Sequence, residues 1–195
     1  MPRCPVCHRR VVPTSACPRD GWYAPADSAG DQKPDERPSL PGYAVDGPIG
    51  AGGFSTVWQA ARESDGARVA LKVGRGDNPL VAERFRRDAE ALKVVGPPFV
   101  PALYDHGELP DGRPFIAMDL LRGETLAARF ARMEGPPPLE WAAQVGGAIL
   151  EVLAAVHEQG VIHRDLKPEN IVLSEDEMSC TLIDFGLTRR QDAPE

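Results

Sequence analysis

The run His163-Arg164-Asp165-Leu166-Lys167-Pro168-Glu169-Asn170 and the triplet Asp184-Phe185-Gly186 bring together side chains of complementary chemistry. Asp165 is a carboxylate that can accept the proton of a hydroxyl group, and Lys167, two residues on, can meet a transferring phosphoryl group. Asn170 and Asp184 offer oxygen ligands to Mg2+. Moving a phosphoryl group needs positioning and charge neutralisation more than covalent chemistry, and these residues supply both.

Two further stretches upstream suit the same task. In Ile49-Gly50-Ala51-Gly52-Gly53-Phe54-Ser55-Thr56-Val57 the glycines Gly50, Gly52 and Gly53 let backbone approach phosphate oxygens and bond to them through N–H groups. Ser55 stands where a third glycine of such a loop is usual. Taken alone, a glycine-rich hairpin is only a turn. Val69-Ala70-Leu71-Lys72 then places an ammonium on a strand, where it can meet the α and β phosphates if a carboxylate holds it. Glu90, on a helical segment 18 residues later, is the expected partner.

These groups must be positioned by regular elements, and the pattern provides them. Residues 43–50 and 55–63 alternate like two strands around the glycine turn, and residues 67–73 form a third β-rich run. The charged segment 82–95 puts Phe85, Ala89, Leu92 and Val95 or Val94 at helical spacing. Residues 114–121 read as a buried strand, and 139–159 as a long amphipathic helix that Gly160 can close. Strands come first and helices follow, which predicts an α+β chain with a β-rich lobe joined to a helical one.

The ordered set G-x-G-x-x-S-x-V, V-A-L-K, H-R-D-L-K-P-E-N and D-F-G over residues 43–186 resembles the eukaryotic-type (Hanks-type) protein kinases, in a bacterial style. Lys167 and Pro168 after Asp165 resemble the serine/threonine class. The resemblance implies a bilobal fold over 42–195, with an N-lobe of about 42–118 and a partial helical C-lobe over 119–195. It implies ATP and Mg2+ as cofactors, a protein substrate, and Asp165, Lys167, Lys72 and Glu90 as the catalytic set. Val57 and Ala70 would cover the adenine, Val172 would form its floor, Met118 would be the gatekeeper, and the backbone of Asp119 and Leu121 would bond the adenine edge. Glu124 or Thr125 would face the ribose. His163 would buttress the catalytic loop, and Arg164 resembles the arginine that meets an activation-loop phosphate.

The N-terminal residues are of another kind. Residues 1–23 hold a degenerate repeat, Cys-Pro-Val-Cys-His and Cys-Pro-Arg-Asp-Gly, in which Cys4, Cys7 and Cys17 sit on tight turns suited to one tetrahedral zinc ion. The fourth ligand is Asp20 or His8. The expectation is a small zinc-ribbon-like module with a possible protein partner, followed by a flexible Pro-, Asp- and Ser-rich tether over 24–41. The chain carries a net charge of -7 and a pI near 5.2. This disfavours nucleic-acid binding through the whole surface, although residues 1–22 carry four arginines against Asp20 alone. No secretory leader is apparent and the best apolar run, 142–156, is broken by Gln144 and Glu151, so the expected setting is cytoplasmic with no membrane segment. Cys180 is expected to pack in a strand.

After Asp184-Phe185-Gly186 only nine residues follow, and the Ala193-Pro194-Glu195 that closes the chain lies too near Gly186 to end a normal activation loop. The chain is therefore expected to be the front portion of a longer kinase, with Ile149, Leu150, Leu153 and Val156 of the long helix not all covered. The alternative expectation is a nucleotide-binding, pseudokinase-like interaction or regulatory module without a peptide-docking floor.

Overall fold

The computed structural model describes residues 36–76 and 78–190. The chain divides into two units, Met1–Glu36 and Arg37–Glu195, and the second carries everything below. The cysteine cluster of residues 1–23, and most of the 24–41 tether, lie outside the described residues. The end of that tether is packed: Arg37 donates to the carbonyl oxygens of Val45 and Asp46, and Leu40 lies against the N-terminal core.

Five antiparallel strands form the first layer: β1 (Tyr43–Ala51), β2 (Ser55–Arg62), β3 (Arg68–Gly74), β4 (Leu103–Glu108) and β5 (Pro114–Asp119), in the order β1-β2-β3-β5-β4. Helix α1 (Pro79–Val95) crosses between β3 and β4. Its start is written in the sequence, since Asn78 caps it by accepting from the Leu80 N–H and Pro79 opens its first turn. The Gly96 N–H closes it on the Leu92 carbonyl.

The period-two alternation of strands decides what faces where. Val69, Leu71 and Val73 of β3 join Trp58, Ala60, Phe115 and Ala117 in one core. Alternation therefore sends Ala70 and Lys72 to the opposite face, where register sets Lys72 against Val57 of β2 and Ile116 of β5. Ile116 and Met118 belong to a second core shared with Phe85, Ala89 and Leu92 of α1. That second core is continuous with the helical part and joins the two lobes, while the first core stays within the N-terminal lobe.

The helical part contains β6 (Glu124–Thr125), α2 (Leu126–Ala131), α3 (Leu139–Glu158) and β7 (Val161–Ile162). A 3-10 turn (Pro168–Asn170) follows, then β8 (Ile171–Leu173), β9 (Cys180–Leu182) and β10 (Arg189–Arg190). β6, β8 and β9 form one small sheet, and β7 pairs with β10. Gly123, at φ +112°, lets the chain enter β6: a Cβ there would lie 1.9 Å from the Leu173 carbonyl oxygen.

By length and mean hydropathy α3 could cross a membrane. Its stripe of Val145, Ala148, Val152 and Val156 instead belongs to the second core. Of the four apolar residues whose cover was in doubt, Val156 is fully buried, Ile149 and Leu153 pack partly on the core, and Leu150 remains 68% exposed. Cys180 packs in β9 as expected, and burial together with the nearby Glu151 carboxylate pushes its thiol up to about 11.

Candidate active site

Lys72 is the centre of the site. Its Nζ lies 2.5 Å from Asp88 Oδ2 and 3.0 Å from Asp184 Oδ1. Burial works against its charge, but the carboxylates of Asp88 and Asp184 outweigh burial and hold its pKa above the ordinary lysine value. Asp184 is the mirror case. Burial pushes its carboxyl up, while the ammonium groups of Lys72 and Lys167 and a backbone bond from Gly186 hold it below the usual carboxylate range. Both groups stay charged, and about half of the Asp184 side chain is exposed.

The carboxylate on α1 that holds Lys72 is Asp88, and this corrects the expectation for Glu90. Asp88 is 2% exposed, whereas the Glu90 side chain is 43% exposed and lies 3.4 Å from Arg86 on the outer face of the helix. The reason is helical phase. At about 100° per residue, Asp88 sits about 60° from Phe85 on the buried stripe, while Glu90 sits about 140° away. A signal was present in the sequence: Phe85, Asp88, Ala89 and Leu92 form an i, i+3, i+4, i+7 set.

Asp88 has a second contact. Its Oδ1 accepts the Phe185 N–H at 2.9 Å, so one short carboxylate ties β3 to the Asp184-Phe185-Gly186 turn. The Phe185 ring is fully buried and packs edge-on against His163, with centroids 4.6 Å apart. His163 itself is 2% exposed, bonds the Ile183 carbonyl oxygen through Nε2 at 3.1 Å, and accepts the Asp165 N–H through Nδ1. It buttresses the loop as expected and has no opening to solvent from which to move protons.

Asp165 is held at both ends. Lys167 Nζ donates to its Oδ2 at 2.7 Å, and Asn170 Nδ2 donates to its carbonyl oxygen at 2.9 Å and to Oδ2 at 3.1 Å. With Nδ2 committed in this way, the amide of Asn170 keeps Oδ1 for a cation. The Ile183 N–H bonds the Asn170 carbonyl at 3.0 Å, which fixes the loop beside Asp184. Arg164 and Asp184 both adopt positive φ, 64° and 67°. Such backbone costs on the order of 1–3 kcal/mol per residue and is held here by the surrounding bonds.

Of the residues expected around an adenine, Val57, Ala70 and Met118 share one face of the five-stranded sheet, while Val172 belongs to the separate three-stranded sheet. Val57 pairs with Lys72, Ala70 pairs with Met118, and Val172 lies on β8 opposite Thr125. The Asp119 N–H donates to the Ala102 carbonyl at 3.0 Å, so a ligand bond at Asp119 must use its carbonyl oxygen. The Asp119 carboxylate is also engaged, with the Ala102 N–H and the Tyr104 hydroxyl. Thr125 spends its hydroxyl oxygen capping α2, and Glu124 pairs with Arg132.

Between β1 and β2 the hairpin closes with a Gly52 N–H to Ser55 carbonyl bond of 2.8 Å. Gly50, Gly52 and Gly53 are exposed and Ser55 half-buried. No side chain crowds the backbone there: the nearest atoms a Cβ at Gly50 or Gly52 would meet stand 3.8–4.0 Å off.

Such an assembly matches known proteins over the same residues. The sequence model of the protein kinase domain matches residues 43–195. The chain belongs to the protein kinase family. It is 40% identical over 152 residues to the serine/threonine-protein kinase PknL of Mycobacterium tuberculosis, covering 75% of this chain and 37% of that protein. With the serine/threonine-protein kinase pkn2 of Myxococcus xanthus it shares 37% identity over 147 residues, covering 73% of this chain and 17% of the relative. With PknA of Corynebacterium glutamicum the figures are 35% over 154 residues, 75% and 32%. The chain thus spans well under half the length of these kinases.

Proposed function

We propose that this chain is the nucleotide-handling part of an ATP- and Mg2+-dependent serine/threonine protein kinase. One observation carries the reading: Lys72 bridges the carboxylates of Asp88 and Asp184 beside a loop in which Lys167 and Asn170 orient Asp165. Family membership and the names of the relatives support the serine/threonine class.

In this reading Lys72 draws the α and β phosphates of ATP, and the glycine-rich hairpin lies over them. Asn170 Oδ1 and the Asp184 carboxylate are the oxygens that would hold Mg2+, a donor set fitting a hard cation. Mg2+, when bound, neutralises charge developing between the phosphates. Asp165 orients the substrate hydroxyl and takes its proton as the new O–P bond forms, while Lys167 balances negative charge on the transferred group. The β–γ bridge bond breaks and ADP leaves with its electron pair. A cytoplasmic setting, where ATP is supplied, suits this chemistry.

The test is binding and transfer measured together. With Mg2+ present, ATP is expected to raise the melting temperature of the chain, and Asp184→Asn to remove most of the Mg2+-dependent part. Stabilisation by ATP that is indifferent to Mg2+ and to Asp184 would contradict the assignment. Stabilisation without any transfer to protein would favour a nucleotide-sensing module.

We further propose that Cys4, Cys7 and Cys17, with Asp20 or His8, bind one Zn2+ and present a docking module for a partner protein. Support comes from the paired Cys-Pro turns. Metal analysis of the purified chain should find about one equivalent of zinc that Cys4→Ser and Cys17→Ser each remove; zinc absent from the wild type would reject the site.

A further inference from the structure

Arg84 lies one helical turn before Asp88 and on the same face of α1. Its guanidinium stacks on the ring of Phe54, 4.0 Å from the centroid. Phe54 is the residue at the tip of the glycine-rich hairpin, and its ring also packs against the second core. The backbone of Gly186 closes the other side: a Cβ there would meet Arg84 Cβ at 3.3 Å and the Arg84 carbonyl oxygen at 3.6 Å. Arg84 therefore has the hairpin above it and the Asp184-Phe185-Gly186 turn beneath it.

The backbone of the hairpin is anchored independently of that stack. The Arg75 N–H bonds the Phe54 carbonyl at 2.9 Å, and the Arg75 guanidinium reaches Thr56 Oγ1. Those bonds fix the hairpin backbone, the Phe54 carbonyl included, to the end of β3 and leave the Phe54 ring to be held by what it touches. The guanidinium it touches is half-buried. Burial pulls the Arg84 pKa down, while the carboxylates of Asp184 and Asp165 oppose that and favour its charge. A planar, weakly hydrated cation under an aromatic ring, facing two acidic groups, is well suited to remain there.

We propose that Arg84 is a positioning residue that acts through Phe54: the stack fastens the tip of the glycine-rich hairpin to α1, so hairpin closure over the nucleotide phosphates is coupled to the seat of α1. The proposal rests on the nucleotide-binding reading above. Asp88 and Arg84 sit on one rigid helix, so a displacement of α1 that parts Asp88 from Lys72 and Phe185 also withdraws the support of Phe54. Conversely, phosphates that draw the hairpin down favour the helix position in which Asp88 holds Lys72. Arg84 bonds no phosphate in this scheme.

The experiment measures dissociation constants of adenosine, ADP and ATP, the latter two with Mg2+, for the full chain. The variants are Arg84→Ala, Arg84→Lys, Phe54→Ala and the double Phe54→Ala/Arg84→Ala. Each alanine variant is expected to weaken ADP and ATP by about 3- to 10-fold and to leave adenosine unchanged. The double variant should be no worse than either single one, and Arg84→Lys should keep part of the affinity. Additive losses would overturn the coupling. A loss in Arg84→Ala with none in Phe54→Ala would mean direct contact between arginine and phosphate, also against the proposal. An equal fall in adenosine would reduce the pair to a structural contact. If the wild type binds ADP and ATP no better than adenosine, the phosphate site itself fails and the latch falls with it.

Discussion

Asp88→Ala is expected to lower phosphoryl transfer by about 100-fold and to destabilise the domain by about 3 kcal/mol, whereas Glu90→Ala should change neither appreciably. The asymmetry follows from burial. Removing Asp88 leaves the Lys72 ammonium, with a side chain 10% exposed, facing only Asp184, and leaves the Phe185 N–H without its acceptor. The lysine is then drawn fully to Asp184, the carboxylate proposed above to hold the cation. Asp88→Asn separates the two roles: it keeps an acceptor for Phe185 but removes the charge that Lys72 requires. It should therefore recover part of the stability and little of the rate. Transfer from ATP to a serine-containing protein, read beside thermal unfolding, checks all three variants. Loss of transfer in Glu90→Ala with Asp88→Ala unaffected would reverse the pairing.

That pairing marks where sequence reasoning stopped. Features set by local backbone were legible: the glycine turn closes within its own hairpin, alternation alone sends Lys72 to the face opposite the first core, and Lys167 and Asn170 reach Asp165 within five residues. Asp88 depends on helical phase, and a phase argument needs the buried stripe to be identified before any charged residue is assigned to it. An aspartate among Phe85, Ala89 and Leu92 looks like an interruption of that stripe until its partner, Lys72, arrives from another element. The local charge pattern invites the opposite choice, because the exposed Glu83, Arg86, Arg87 and Glu90 already satisfy one another along the outer face.

Arg84 illustrates the same limit from the other side. Its i, i+4 spacing from Asp88 puts it on that face of α1, unlike Arg86 and Arg87, but nothing in the sequence says what it meets there. Only the descent of Phe54 from the hairpin and the approach of Gly186 from below give it a task. Contacts between elements distant in sequence are set by packing, and a pattern of periods along one element does not contain them. By contrast, the length and closure of α3 were readable, because a 20-residue amphipathic run ending before Gly160 needs no other element to be recognised.

Asp165→Asn is expected to lower transfer by about 10²- to 10⁴-fold while leaving ATP affinity within about twofold. The substitution keeps the size of the side chain and an oxygen that can accept from Lys167 and Asn170, so the loop around it should stay in place. What it removes is the negative charge that, in the proposed mechanism, orients a hydroxyl and takes its proton. The split between binding and rate is the informative part. The bonds that Asp165 receives from Lys167 at 2.7 Å and from Asn170 at 3.1 Å hold the carboxylate in one orientation before any substrate arrives. A carboxylate held that way contributes to the transition state and little to the ground state, so its removal should appear in kcat and not in the affinity for ATP. A parallel fall in ATP affinity would mean that Asp165 is part of the phosphate or metal site. Unchanged transfer would mean that another group accepts the proton, and the loop from His163 to Asn170 would lose its catalytic assignment.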